Sequence, residues 1–408
     1  MSTILVIGGG IAGLTAAIEA AETGYDVIIV EKNPYLGGRV AQLRKYFPKL
    51  CPPYCGLEIF FKRIKSNPRV KILTMAEVES IEGSAGNFDV TIKINPRYVN
   101  DNCTACNECV EVCPVERPND FNFGMDNTKA IYLPHEMAFP LKYVIDPEYC
   151  KKDECKACLS VCKYKAIDLN MEPQTMKVNV SSIVVATGWK PYDASNLDNL
   201  LPEHPDVITN MMMERLAAYN GPTKGKIVRP SDGKEIESVA FVQCAGSRDE
   251  NHLPYCSAIC CLATLKQATY IREQYPDAKV YIFYIDIRAL GRYEDFFAKV
   301  QKDENVVLIK GKVAKIEEDE DGLIVTAEDT ATGVKTRQKV DMVVLATGMQ
   351  PSSSEYKVPG IEYDEYGFVV PKEGIVAAGV ARKPADVASC NEDATGAALK
   401  AIQVVRGR

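Results

Sequence analysis

Residues 3–13 read Thr3-Ile4-Leu5-Val6-Ile7-Gly8-Gly9-Gly10-Ile11-Ala12-Gly13. The run up to Ile7 suits a central parallel strand, and Gly8-x-Gly10-x-x-Gly13 suits the tight turn that follows one. One glycine makes the turn, another lets the backbone approach a pyrophosphate, and the third lets helix and strand close up. The residues beyond predict a helix, in which Ala16, Ala17, Ala20 and Ala21 permit close packing. Asp26-Val27-Ile28-Ile29-Val30-Glu31 reads as the next strand, ending in an acid that can accept a hydrogen bond from a ribose hydroxyl. Strand, glycine turn, helix and acid predict a dinucleotide site whose phosphates face the helix N-terminus. Its candidate residues are Gly8, Gly10, Ile11, Ala12, Gly13, Glu31 and Lys32.

The chain has 408 residues, enough for two to three domains at about 150 residues each. Lysine and arginine number 48 against 55 aspartates and glutamates, a net charge of −7. That balance gives no basic face and argues against a nucleic-acid partner. The uncharged stretch from Met1 to Ile18 lacks the positive start of a signal peptide, so no membrane span of its own is expected. Fifteen cysteines are present, eight of them between Cys103 and Cys162. Clustering of that kind reads as metal ligation in a reducing compartment, the cytoplasm, and not as a disulfide framework.

Outward from the first turn, the strand pattern continues to residue 95 and then changes to cysteines and prolines over 96–172. It returns over 173–205, where Ala186-Thr187-Gly188-Trp189-Lys190-Pro191 closes an apolar run. A second strand–helix–strand unit is expected over 206–350, ending in the matching Ala346-Thr347-Gly348-Met349-Gln350-Pro351. Residues 351–408 then complete the first domain. The fold class is α/β: two Rossmann-like dinucleotide-binding units, duplicated in outline, with an inserted ferredoxin-like iron–sulfur domain.

The fingerprint, Gly37-Gly38-Arg39 and the two Ala-Thr-Gly-x-x-Pro segments together resemble the two-dinucleotide flavoproteins of the thioredoxin reductase type. The resemblance implies FAD in the first unit and NAD(P)H in the second. It adds Gly38, Arg39, Ala186, Thr187 and Gly188 to the flavin site, together with Gly379 and Asp386 from a C-terminal turn whose usual Gly-Asp pair is not adjacent here.

Cys103-x2-Cys106-x2-Cys109-x3-Cys113-Pro114 is the bacterial ferredoxin run, whose fourth cysteine serves a neighbouring cluster. The second run, Cys150-x4-Cys155-x2-Cys158-x3-Cys162, has a longer first gap and Lys163 in place of proline. Crossing over assigns Cys103, Cys106, Cys109 and Cys162 to one [4Fe–4S] cluster, and Cys150, Cys155, Cys158 and Cys113 to another. Zinc, which takes closed sets of four ligands, is the alternative. Clusters carry single electrons and nicotinamide carries hydride, whereas flavin handles both; their union on one chain suggests a branch point in an electron path.

A further signature, Gln243-Cys244-Ala245-Gly246-Ser247-Arg248, stands where the second unit needs its own glycine turn, and Cys256, Cys260 and Cys261 follow. One glycine in that turn leaves little room for a pyrophosphate. Four thiols there offer a third [4Fe–4S] site, the alternative being buried reduced cysteines. With the N-terminal fingerprint and the ferredoxin runs, this signature resembles the A subunit of heterodisulfide reductase along nearly the whole chain. The resemblance implies the same third ligand set. The chain's end at Arg408 makes it similar to the short form, the A subunit of the quinone-interacting membrane-bound oxidoreductases of sulfate reducers. That form implies three partners: a related flavoprotein with iron–sulfur clusters, a membrane protein that bears haem, and adenylylsulfate reductase as electron partner. It also implies a peripheral place on the inner face of the cytoplasmic membrane. The function expected is therefore FAD and iron–sulfur electron transfer within such a complex. The rivals are a flavin-bifurcating subunit of a soluble heterodisulfide reductase, an NAD(P)H-dependent oxidoreductase, and a scaffold with structural clusters.

Cys51-Pro52-Pro53-Tyr54-Cys55, soon after Gly37-Gly38-Arg39, offers a candidate flavin-facing redox pair, with cluster ligation and buried structural thiols as the alternatives. His135, His204 and His252 show no metal-binding or triad spacing, Met211-Met212-Met213 suits core filling, and Cys390 reads as a structural thiol.

Overall fold

The glycine turn enters between two strands of a five-stranded sheet, all of whose pairings are parallel. The computed structural model describes residues 3–407. Strands β1 (Thr3–Ile7), β2 (Asp26–Glu31) and β3 (Val70–Thr74) form one side of the sheet, while Ser182–Val185 and Ile375–Ala377 form the other. Ile4 to Ile7 are buried, as a strand covered on both faces requires. On one face, helices α1 (Ile11–Glu22) and Val387–Val405 pack through alanines, among them Ala16, Ala17, Ala20, Ala394, Ala397 and Ala401. On the other, Val78, Val90, Ile92 and Val180 of a three-stranded antiparallel sheet close the core.

The chain forms two compact units, one of Met1–Trp189, Pro351–Lys383 and Val387–Arg408, the other of Lys190–Gln350 and Pro384–Asp386. The second repeats the plan of the first. Five parallel strands run in the order Val207–Thr209, Met342–Thr347, Ser238–Ala245, Lys279–Tyr284, Val306–Lys310. A three-stranded antiparallel meander covers one face, with the Glu320–Asp321 turn at its tip. The second unit begins at Lys190, ahead of the expected boundary at 205/206, because Leu197 and Leu200 pack into its core with Val207, Val313 and Leu345. The segment 384–386 likewise groups with the second unit.

The cysteine-rich stretch belongs to the first unit and carries a small core of its own: Tyr98, Val99, Ile131, Tyr143, Ile145, Ala166 and Ile167. Its secondary structure is sparse, with two short hairpin pairings and the short helices Glu108–Glu111 and Ala157–Val161. Cys103, Cys109, Cys113, Cys150, Cys158 and Cys162 all pack against that core. The core is too small to order so much loop by burial alone, a common reason for a domain to need metal.

Candidate functional site: a glycine cradle and three cysteine sets

The dinucleotide turn is built from backbone pressed against backbone. A Cβ on Gly8 (φ +108°) would stand 2.3 Å from the Ala186 carbonyl oxygen, and one on Gly13 would stand 1.9 Å from the Gly8 oxygen. Gly38 (φ +55°) faces Gly10, its Cβ position 2.9 Å from the Gly10 Cα, and the Gly37 N–H donates to the Gly9 oxygen at 2.8 Å. The turn, the Gly37-Gly38 segment and the Ala186-Thr187-Gly188 strand end are thus one assembly. Ile11 and Ala12 open α1, and Gly379 comes close to Ala12. Asp386 lies with the second unit; the Gly379 N–H donates to Asp393 Oδ2 at 2.8 Å.

Glu31 ends β2 buried. Its Oε2 accepts from the Gly9 N–H at 2.6 Å, and its Oε1 from both the Asn33 backbone and side-chain nitrogens at 2.8 Å. Burial pushes the carboxyl above its usual range, against the pull of those N–H donors. Lys32 instead turns outward to Glu77 at 3.7 Å, its side chain 61% exposed. Arg39 is held inward, Nε donating to the Trp189 oxygen at 3.2 Å and Nη1 to Gln42 Oε1 at 3.0 Å. A bare glycine backbone, a helix N-terminus and a buried acid at the neighbouring strand end fit the pyrophosphate and ribose of a dinucleotide such as FAD.

In the insert, the two cysteine runs interleave. Burial raises the Cys158 thiol to about 11, and Cys150, Cys113 and Cys155 add to the rise. Cys113 of the first run thus acts on Cys158 of the second. Burial likewise raises Cys109 to about 12, with Cys103, Cys106 and then Cys158 contributing. Lys163, next to Cys162, bonds Glu108 at 2.9 Å, between Cys106 and Cys109, so the end of the second run lies against the first. Among the described residues, no three His, Cys, Asp or Glu side chains converge as a single metal ion requires. A cubane makes no such demand, since each thiolate binds a different iron.

The third set lies at the turn after Ser238–Ala245 and at the start of the helix that follows. Burial pushes Cys244 up to about 11, Cys261 and Cys256 adding to it, and pushes Cys260 well above its usual value with Cys244, Cys261 and Cys256 beside it. Cys260 and Cys261 open the helix Cys260–Gln274. The turn itself is tightly wound, Cys244, Gly246 and Arg248 all having positive φ. The ring of Tyr192 fills the space beside Gly246, 2.4 Å from where a Cβ would stand, and its hydroxyl meets His252 Nδ1 at 2.9 Å. Neither Tyr192 nor the cationic surround was legible in the sequence. Asp286 accepts from Arg248 at 2.6 Å and forms an ion pair with Arg288 at 3.4 Å, and its carbonyl accepts from the Cys261 thiol at 3.5 Å.

Cys51 and Cys55 both lie near Tyr46, whose hydroxyl burial and both thiols push above its usual range. Cys55 is exposed in the first turn of α2 (Pro53–Ser66), and both thiols are free. His135 stacks on Phe121 at 4.7 Å, Met211 and Met213 are buried in the core, and Cys390 is buried beside Gly379.

Residues 6–71 match the model of the NAD(P)-binding Rossmann-like domain. The fold matches the thioredoxin reductases of T. acidophilum and Lactococcus lactis, with TM-scores of 0.53 and 0.54 at 16% and 15% identity. These alignments cover 98% of both chains and 100% of both chains, respectively. Fold and cysteine sets thus define a thioredoxin reductase-like flavoprotein fold carrying an iron–sulfur insert. The chain is 39% identical, over 99% of its length, to the A subunit of the H(2):CoB-CoM heterodisulfide,ferredoxin reductase of Methanothermobacter thermautotrophicus. It is 41% identical, over 97% of its length, to the iron-sulfur A subunit of the CoB–CoM heterodisulfide reductase of Methanocaldococcus jannaschii. Along nearly its whole length the chain is similar to the A subunits of heterodisulfide reductases. It spans 64% and 63% of the length of these two relatives. Among the described residues, no helix is long and apolar enough to cross a membrane.

Proposed function

We propose that the chain is an electron-transfer subunit of a heterodisulfide reductase-type complex, holding one FAD and three [4Fe–4S] clusters. What carries the reading is the packing of Cys103, Cys109 and Cys113 of the first run and Cys150, Cys158 and Cys162 of the second against one small core, as the interleaved runs of a two-cluster ferredoxin require. FAD, when bound, supplies the step between paired and single electrons. The glycine turn and the α1 N-terminus receive its pyrophosphate, Glu31 orients its ribose, and Arg39 braces the Gly38 and Trp189 segments against each other. The thiolates of the two runs in the insert and of Cys244, Cys256, Cys260 and Cys261 hold the clusters, and burial of Cys244, Cys260 and Cys261 keeps water from their sulfurs.

The partners follow from the relatives: other subunits of a reductase complex, the name of the first relative including ferredoxin. Electron bifurcation at the flavin belongs to this reading. The membrane-linked version is supported by the sequence resemblance alone; its partners are a related flavoprotein, a membrane protein that bears haem, and adenylylsulfate reductase. Affinity purification from the native host separates the two. Recovery with soluble reductase subunits supports the heterodisulfide reductase reading, and recovery with a haem-bearing membrane protein replaces it with the quinone-linked one.

A further inference from the structure

Among the described residues, Arg97 is a buried cation with no buried anion beside it. Only 9% of the residue is exposed. Nη1 donates to the carbonyl oxygens of Lys142 at 3.1 Å and Tyr143 at 3.3 Å, and Nη2 donates to the Pro34 carbonyl and, at 3.1 Å, to Thr74 Oγ1. All four acceptors are neutral. The acid nearest in effect, Asp101, is 93% exposed and already paired with Lys142. Burial lowers the guanidinium pKa to about 10, opposed by Tyr132, Cys103 and Asp101 in that order. A charge taken out of water is ordinarily retained only where an opposite charge meets it.

The missing charge has a place. Arg97 directly precedes Tyr98 and Val99, core residues against which Cys103 and Cys109 pack. Tyr143, whose carbonyl Arg97 holds, donates its hydroxyl to Asn107 Oδ1 at 2.8 Å, between Cys106 and Cys109. On its other side Arg97 holds the carbonyl of Pro34, next to the Asn33 that binds Glu31. We propose that Arg97 is the counter-charge of the iron–sulfur cluster held by Cys103, Cys106 and Cys109, and that it raises the reduction potential of that cluster. The proposal rests on the cluster reading above. A cysteine-ligated cubane is anionic, and adding one electron adds one negative charge. A fixed cation in a dry site favours the more negative state, and net charge and hydrogen bonding are among the levers that set such potentials.

The test is an anaerobic redox titration of the full chain, followed by EPR, for wild type, Arg97→Lys and Arg97→Gln. Lysine keeps the charge and should leave the potentials in place. Glutamine should lower one cluster's potential enough to change its reduced-to-oxidised ratio at least tenfold at a fixed potential, about 59 mV for one electron, while the other clusters stay put. A fully iron-loaded Arg97→Gln protein with unmoved potentials overturns the proposal, as does an equal shift in the lysine variant. Where Arg97→Gln loses the cluster, retention in Arg97→Lys supports the counter-charge and loss in both overturns it. Wild-type protein with no cluster signal at all overturns the cluster reading, and this inference with it.

Discussion

Gly8 lies directly beneath the carbonyl of Ala186, so close that a methyl group would stand 2.3 Å from that oxygen. Residues 178 positions apart in the chain, the first glycine of the turn and the start of the Ala-Thr-Gly segment, therefore make one wall of the dinucleotide cradle. Gly8→Ala must open that wall and also strain a backbone at φ +108°. Purified Gly8→Ala protein should carry less than a tenth of the wild-type flavin absorbance. Its unfolding free energy should fall by about 1–3 kcal/mol, read by urea denaturation.

Glu31 gives flavin affinity a pH dependence. Its pKa is raised in the fold, so the carboxyl takes up a proton above its ordinary 4.5 as pH falls. A neutral carboxyl is a poorer acceptor for ribose hydroxyls, so affinity for FAD should drop with falling pH, starting above pH 4.5. For stability of the flavin-free protein the sign is opposite: with its pKa raised, the carboxyl contributes stability below its unfolded value, lost as pH rises through the folded one. In Glu31→Gln the pH dependence of FAD binding should vanish, as measured by fluorescence quenching titrations.

The cysteine runs predict an exchange of phenotype. Cys113→Ser should disturb the same EPR signal as Cys155→Ser, and Cys162→Ser the same signal as Cys106→Ser. Matching of Cys113→Ser with Cys106→Ser would mean that each run closes its own site.

In the second unit, the Tyr192 ring occupies the space over Gly246 where a pyrophosphate would pass. NADH and NADPH should neither bind nor bleach the flavin, checked by anaerobic mixing in a stopped-flow spectrophotometer. Rapid bleaching by NADH would restore the pyridine-nucleotide reading of this unit.

The parts of this design written in local spacing were legible in the sequence: the glycine turn, the acid of Glu31, the paired Ala-Thr-Gly strand ends and the ferredoxin runs. The parts made by long-range packing were not. Leu197 lies between two 3-10 turns and Leu200 ends the second, with no periodic pattern, so their place in the second core shifts the boundary unannounced. Tyr192 meets Gly246, and Arg97 meets Pro34 and Tyr143, only once the chain is folded. Residues 313–340 form a three-stranded meander. A charge-rich exposed face hides the alternation of Leu323, Val325 and Ala327 that packs inward.

Three clusters and one flavin in a single chain are tested most directly by counting metal. Iron and acid-labile sulfide, measured per flavin on anaerobically purified protein, should approach about twelve each per chain, three cubanes of four. Cys256→Ser should lower both by about four. Wild-type values near about eight, two cubanes' worth, unchanged by Cys256→Ser, would contradict the third site and leave Cys244, Cys256, Cys260 and Cys261 as buried reduced thiols.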